Sequence, residues 1–310
     1  MAQPLSLASR PIPLVLLGLL CSLGCGGGSE QTSGNTSGTA APTAAAEQNG
    51  SAGSSAAEPR LPPEEQAARN IAAAENLVRQ GKGSLALQLL NEAIQLHPRS
   101  VAAYCRRAEI LAAANFKSQA HDDLTKAIEL RPDDPKLYNT RGYLRMSRDD
   151  LPGAMEDFST AIALDLKYPQ PYNNRGLVRI SQGNPEQALH DFDAALQIDP
   201  NYIDAHNNRG YALLQLKRYD DAIAALTRAI ELDPTYVNAW NNRGLTHQEA
   251  GQLEEALADF TQAIELQPTH TKYYLHRRLV LDALGRTEEA RADAERAAWL
   301  ERLVMVNRLV

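Results

Sequence analysis

The chain lacks the short signatures on which most chemistry is built. It has no His-Glu-x-x-His pair, no compact cluster of cysteine and histidine, no Gly-x-Ser-x-Gly elbow, no phosphate loop and no dinucleotide fingerprint. Its 7 histidines are scattered, and His190 beside Asp191 is a lone pair on a helix. Neither an enzyme nor a metal or cofactor site is expected from this sequence. Charge of one sign is also missing: a formal net charge of −7 is spread over mixed residues, with only short basic runs, which argues against a nucleic-acid surface. No apolar run is long enough to span a bilayer, since Leu14–Leu23 falls short of the ~20 residues required and Leu303–Val306 is shorter still.

What the chain has is repetition. The segment from Val237 to His270 is one copy of a 34-residue pattern. Within it Leu253, Ala256, Leu257, Phe260, Ala263 and Ile264 recur at three- and four-residue spacing, the mark of one apolar helical face. Trp240 and Gly244 begin a similar face in the first half. Gly251 stands between the two, where a helix end needs positive φ, and Pro268 closes the second helix by disfavouring α geometry at Gln267. Each copy therefore reads as helix, turn, helix, turn.

In the same register, Pro98, Pro132, Pro200, Pro234 and Pro268 share one position, and Gly142, Gly176, Gly210 and Gly244 another, filled by Ala74 and Ala108 in earlier copies. Alanine recurs in all seven copies from Ala86 to Ala290, and again from Ala93 to Ala297. With Val237 as position one, Trp240, Gly244, Ala256, Phe260, Ala263 and Pro268 match the consensus places of the tetratricopeptide repeat, which the chain resembles over about residues 67–304. That resemblance implies an all-α fold, a right-handed superhelical solenoid of about seven helix-turn-helix units with a C-terminal capping helix. The first copy, Ala67–Ser100, is the weakest match, and its Asn70 suits an end unit turned to solvent. The third lacks the closing proline and has Leu166 there. Residues Leu303–Val310 read as a cap on the seventh copy, with a homodimer contact as the alternative.

The start of the chain differs in kind. Residues 1–24, with Arg10 ahead of the apolar run, read as a secretion signal. The sequence Ser22-Leu23-Gly24-Cys25 resembles the lipobox of bacterial lipoproteins, which implies lipidation at Cys25 and anchoring in the outer rather than the cytoplasmic membrane. Residues 25–60 form a Gly/Ser/Thr/Ala tether too polar to bury a core, and residues 61–310 the solenoid. If Cys21 leaves with the signal and Cys25 is acylated, no intramolecular disulfide can form with Cys105. A soluble periplasmic or cytoplasmic adaptor is the alternative.

Two polar patterns run through the copies. Position seven carries Arg107, Arg141, Arg175, Arg209, Arg243 and Arg277, and position twenty-three carries Asp123, Asp157, Asp191, Asp259 and Asp293. The first copy lacks both, and the fifth keeps Arg209 but has Ala225. This correlation predicts Arg–Asp bridges, within a copy or between adjacent copies. The family resemblance places positions two, five, six and nine on a concave groove. Asn139, Asn173, Asn207 and Asn241 at position five, with Asn174, Asn208 and Asn242 at position six, would form a carboxamide ladder for an extended peptide or helix of a partner protein. Tyr143 and Tyr211 at position nine would add apolar contact. The lysine pattern of the chaperone-tail groove is not met by any three consecutive copies, so a C-terminal carboxylate held in that manner is not expected. The expected function is a non-enzymatic interaction scaffold at a bacterial envelope.

Overall fold

The computed structural model describes residues 61–307, with side chains as far as Met305. The signal, Cys25 and the tether lie outside the described residues. All regular structure among them is helical, and it forms two compact units. In the first are α1 (Pro63–Arg79), α2 (Gly83–Leu96), α3 (Val101–Ala113) and α4 (Lys117–Leu130). The second holds α5 (Pro135–Met146), α6 (Leu151–Leu164), α7 (Pro169–Ser181), α8 (Pro185–Ile198), α9 (Ile203–Gln215), α10 (Tyr219–Leu232), α11 (Val237–Glu249), α12 (Leu253–Leu266), α13 (Thr271–Ala283) and α14 (Thr287–Asn307). The first unit thus contains two copies of the repeat and the second contains five. In each copy the two helices pack on one another, and the second helix packs on the first helix of the copy that follows in the same unit.

Local chemistry sets the helix ends. All seven turns within copies place a residue at positive φ: Gly81, Gly183, Gly251 and Gly285, and in the other three Asn115, Asp149 and Lys217. The residue before each closing proline leaves helical geometry, as at Gln267 with ψ 77°. In the third copy, where Leu166 replaces that proline, Asp165 still turns out of the helix with ψ 100° and its Oδ1 accepts from the backbone N–H of Lys167. The carboxylate turn ends this helix without proline. Leu166 itself is 67% exposed.

The core is a row of small contacts filled by alanine and one large side chain per copy. Ala86, Ala120, Ala154, Ala188, Ala222 and Ala256 are each fully buried, because the two helices of a copy cross there. The position-eight glycines have a specific cause. A Cβ at Gly142 would stand 2.8 Å from Phe158, at Gly176 2.5 Å from Phe192, and at Gly244 2.7 Å from Phe260; at Gly210 it would collide with Leu226. Where position eight is alanine, at Ala74 and Ala108, the facing side chain is Leu90 or Leu124. The fifth copy pairs glycine with Leu226, so what position eight tolerates is set by how closely the facing side chain approaches in each copy.

The two ends differ, and the first departs from expectation. Asn70 is buried rather than turned to solvent; its Nδ2 donates to Glu92 and its Oδ1 accepts from Gln66. The C-terminal capping helix is α14 itself, whose Ala297 and Leu300 are buried against the copy before. It runs to 21 residues, against 14 for α12, and leaves Leu303, Val304 and Met305 between 42% and 64% exposed. Residues 308–310 of the expected cap lie outside the described residues.

Gly176→Ala should cost roughly 1–3 kcal/mol by overpacking against Phe192. Adding Phe192→Leu, the pair used by the first two copies, should recover part of that loss in a double-mutant cycle of urea midpoints. Simple additivity of the two losses would show that the size match is accidental.

Candidate functional site

The arginines at position seven are the most connected side chains of the fold. In five copies Nε and Nη2 donate in parallel to the two carboxylate oxygens of the aspartate on the second helix: Arg107 to Asp123, Arg141 to Asp157, Arg175 to Asp191, Arg243 to Asp259 and Arg277 to Asp293, at 2.6–3.1 Å. This fork-on-fork geometry is the strong form of the pair. The five aspartates are 1–5% exposed, so their charge is kept in place by the guanidinium and not by water. Reciprocally, these bonds raise the pKa of Arg107 and Arg277.

The remaining nitrogen reaches the preceding copy. Nη1 of Arg107 donates to Asn91, of Arg175 to Ser159, of Arg243 to Thr227 and of Arg277 to Thr261, at 2.7–3.3 Å. The two placements left open by the sequence are therefore both used. In the fifth copy, which lacks the aspartate, Arg209 Nε donates instead to Asp193 at 2.7 Å, on the second helix of the copy before. Two aspartates meet a second cation: Arg145 Nη1 lies 3.1 Å from Asp157 and Arg179 Nη1 lies 3.0 Å from Asp191.

Position four explains its own variety. Tyr104, His206, Trp240 and Tyr274 each place a ring donor 2.9–3.4 Å from the carbonyl of the proline six residues earlier. His206 serves here as the other rings do, since its Nε2–H takes the place of the tyrosine hydroxyl and the indole N–H. The arginine of the same copy lies over five of the position-four rings, 4.9 Å from the centroid at Trp240 and up to 6.0 Å at Tyr274.

The asparagines join into a ladder, though not the one expected. Asn139, Asn173, Asn207 and Asn241 are 3–6% exposed, so position five is not a ligand surface. Position six of each following copy covers it: Asn174 Nδ2 donates to Asn139 Oδ1, Asn208 to Asn173 and Asn242 to Asn207, at 2.9–3.0 Å. Each buried carboxamide in turn donates to the Oδ1 of its neighbour, Asn173 to Asn174, Asn207 to Asn208 and Asn241 to Asn242. Asn139 donates to the Tyr168 hydroxyl. The correction has a simple cause: two adjacent asparagines lie on different sides of a helix, and the next copy occupies one side. Asn174, Asn208 and Asn242 are half-buried and keep one N–H and one lone pair each beyond these bonds. Tyr143 and Tyr211 are half-buried on the same first helices, resting on the core clusters below them.

His276 ends the ladder, its Nδ1 2.8 Å from Asn241 Oδ1. Burial, then the charges of Lys272 and His270, push its pKa down to about 4. It is neutral near pH 7 and must carry its proton on Nδ1 to make this bond. No group of three or more possible metal ligands occurs among the described residues.

Residues 173–237 and 237–270 match models of the tetratricopeptide repeat. No curated protein sequence matches the chain. Solved structures with the same fold include a tetratricopeptide repeat protein from Parabacteroides merdae, at 18% identity over 76% of this chain and 93% of that one, with a TM-score of 0.63. PilF of Pseudomonas aeruginosa is 18% identical over 68% of this chain and 96% of that one, with a TM-score of 0.59. A chain of the Cut9–Hcn1 complex of the APC/C gives 21% identity and a TM-score of 0.62, over 70% of this chain and 43% of that one, so this chain spans less than half of it. Identities this low carry the fold alone, and the fold is a tetratricopeptide-repeat solenoid.

Asp157→Ala leaves two guanidiniums against an empty site and should cost about 3–5 kcal/mol in urea unfolding; a loss below about 1 would mean the pair is effectively solvated. His276 has a second, pH-dependent signature. Its folded pKa lies below the unfolded value, so the unfolded chain binds the extra proton between about 6.5 and about 4. Its contribution is complete at neutral pH and is lost as pH falls through that window, by roughly 3 kcal/mol. His276→Asn, which restores the ladder residue, should remove that part of the acid loss; identical pH profiles would refute the assignment.

Proposed function

We propose that the chain is a non-enzymatic protein-interaction scaffold that holds an extended segment of a partner along the first-helix face of residues 133–307. The observation that carries this reading is the oriented ladder. Buried position-five carboxamides fix Asn174, Asn208 and Asn242 in one orientation, leaving each with a donor and an acceptor for a peptide main chain. Because these groups are already ordered, a ligand loses little additional entropy in binding them. Tyr143, Leu177, Tyr211 and Leu245 at position nine supply apolar surface beside them. PilF shares the fold, as does a chain of the Cut9–Hcn1 hetero-tetramer of the APC/C.

The placement of the scaffold belongs to the same proposal. The signal, Cys25 and the polar tether make it an exported protein anchored by lipid at an envelope membrane, with the solenoid free to work at a distance from the surface.

A photo-crosslinking amino acid at Tyr211, on the inner face, should capture a partner in cells, while one at the outward Arg228 should not. Equal capture from both, or none from Tyr211, counts against the groove. For the anchor, radiolabelled palmitate should enter the wild-type protein and be absent from Cys25→Ala; an unlabelled wild type would leave the soluble adaptor as the better reading.

A further inference from the structure

The last turns of α14 carry side chains that the repeat does not ask for. Position twenty-nine is Gln95, Glu129, Ala163, Gln197, Glu231 and Glu265 in the first six copies, each exposed, because this side of the second helix faces water. In the seventh copy the same position is Trp299, which stays 45% exposed. Leu303 follows at i+4 on the same face, and Val304, at i+4 from buried Leu300, prolongs the buried face past the end of the core. None of the three fills a gap in the solenoid, since Ala297 and Leu300 already close it. A tryptophan held in water where six copies place a polar or small residue keeps apolar area that burial elsewhere would stabilise.

Charge tells what kind of surface would cover them. Arg296 and Arg302 stand three residues before and three residues after Trp299, which puts them on opposite margins of the Trp299–Leu303 stripe. Both are exposed, and the Arg296 guanidinium lies 4.4 Å from the centre of the Trp299 ring. From residue 296 to the end, the sequence holds Arg296, Arg302 and Arg308 against one acid, Glu301, in a chain whose net charge is −7. Positive charge is therefore concentrated beside the apolar stripe. A second copy would present the same arginines and repel them, whereas an anionic bilayer presents the opposite charge. Tryptophan and leucine edged by arginine also suit the depth of a bilayer boundary, where the ring and aliphatic chain enter the acyl region and guanidiniums reach back to phosphate. No helix among the described residues is long and apolar enough to cross a membrane, so α14 would lie in the interface rather than span it.

We propose that the last turns of α14 are a membrane-contact site for an anionic lipid surface, with Trp299 and Leu303 inserted below the headgroups and Arg296 and Arg302 on the phosphates. The contact is shallow and reversible, because only two turns of helix supply it. It depends on neither the inner-face reading nor a lipid at Cys25, and it adds to both: the seventh copy is the one brought to the bilayer.

The chain has 2 tryptophans, so Trp240→Tyr, which keeps the position-four donor used by Tyr104 and Tyr274, leaves Trp299 as a single fluorescent reporter. The full chain would carry this change together with Cys25→Ala, so that no acyl chain binds in its place. It would be titrated with vesicles of equal parts phosphatidylcholine and phosphatidylglycerol, and with phosphatidylcholine alone. Trp299 emission should move to shorter wavelength on the anionic vesicles, at lower lipid concentration than on the neutral ones. Arg302→Gln should weaken the anionic binding about fivefold, the worth of one arginine near such a surface. Leu303→Glu should abolish the shift without lowering the melting temperature. Residues 1–24 are common to every variant and cannot account for a difference between them. No shift on anionic vesicles, equal affinity for both kinds, or a shift kept by Leu303→Glu overturns the site. A shift that grows with protein concentration in the absence of vesicles overturns it in favour of a second copy. Capture at Tyr211 and palmitate at Cys25 are read separately, so each reading can fail without the others.

Discussion

One planar cation ties three helices together in most copies. The position-seven guanidinium leaves a first helix, grips the aspartate of its own second helix with two nitrogens, and reaches back with the third to the second helix of the copy before. A repeat array is stable only as the sum of its units and the contacts between neighbours. Here a single group contributes to both terms, so losing its carboxylate strands a charge and also loosens the junction. The arginine further lies over the ring that anchors the start of its helix to the preceding proline carbonyl. Packing, helix entry and copy-to-copy contact meet at that residue.

The fifth copy shows what is required and what is not. Arg209 has no aspartate sixteen residues ahead, and finds Asp193 sixteen residues behind. The acceptor may stand on either second helix, provided it is a carboxylate within reach of the fork. The substitute is weaker in kind, because Asp193 has a side chain 48% exposed and accepts from one nitrogen, whereas Asp157 is buried and accepts from two. Water shares the load at the fifth copy and is excluded at the third.

The repeat, its helix boundaries and the Arg–Asp pairing were legible in the sequence because each leaves a mark at fixed spacing: apolar faces every three or four residues, proline at the close, opposite charges sixteen apart. The match between Gly176 and Phe192 was not, since glycine also serves turns and only the distance between two helices reveals why a Cβ is excluded. Position four hid a shared property, as tyrosine, histidine and tryptophan look like aromatic bulk until their donors are seen on one kind of carbonyl. The position-five asparagines were seen but assigned to the wrong layer. Asn207 and Asn208 are adjacent and chemically identical, and nothing in either letter says that Asn242, thirty-five residues on, covers the first and leaves the second half-open.

That layering changes what the inner face can offer. A row of free carboxamides would be mobile and would compete for water; a row whose buried half is already bonded has one orientation and a fixed spacing set by the helices beneath it. The ladder also needs a next copy, because each position-five oxygen takes its proton donor from the helix that follows. At the seventh copy no such helix stands among the described residues, and position five is no longer asparagine but Leu275, 37% exposed. Position six has meanwhile become His276, which keeps the bond to Asn241 while adding a titratable ring beside Lys272. The register that carries a carboxamide through the middle of the array therefore carries an imidazole at its end, still bonded to the copy before. The ladder itself has a direction, because each position-six side chain donates to the copy before it and His276 closes the last rung.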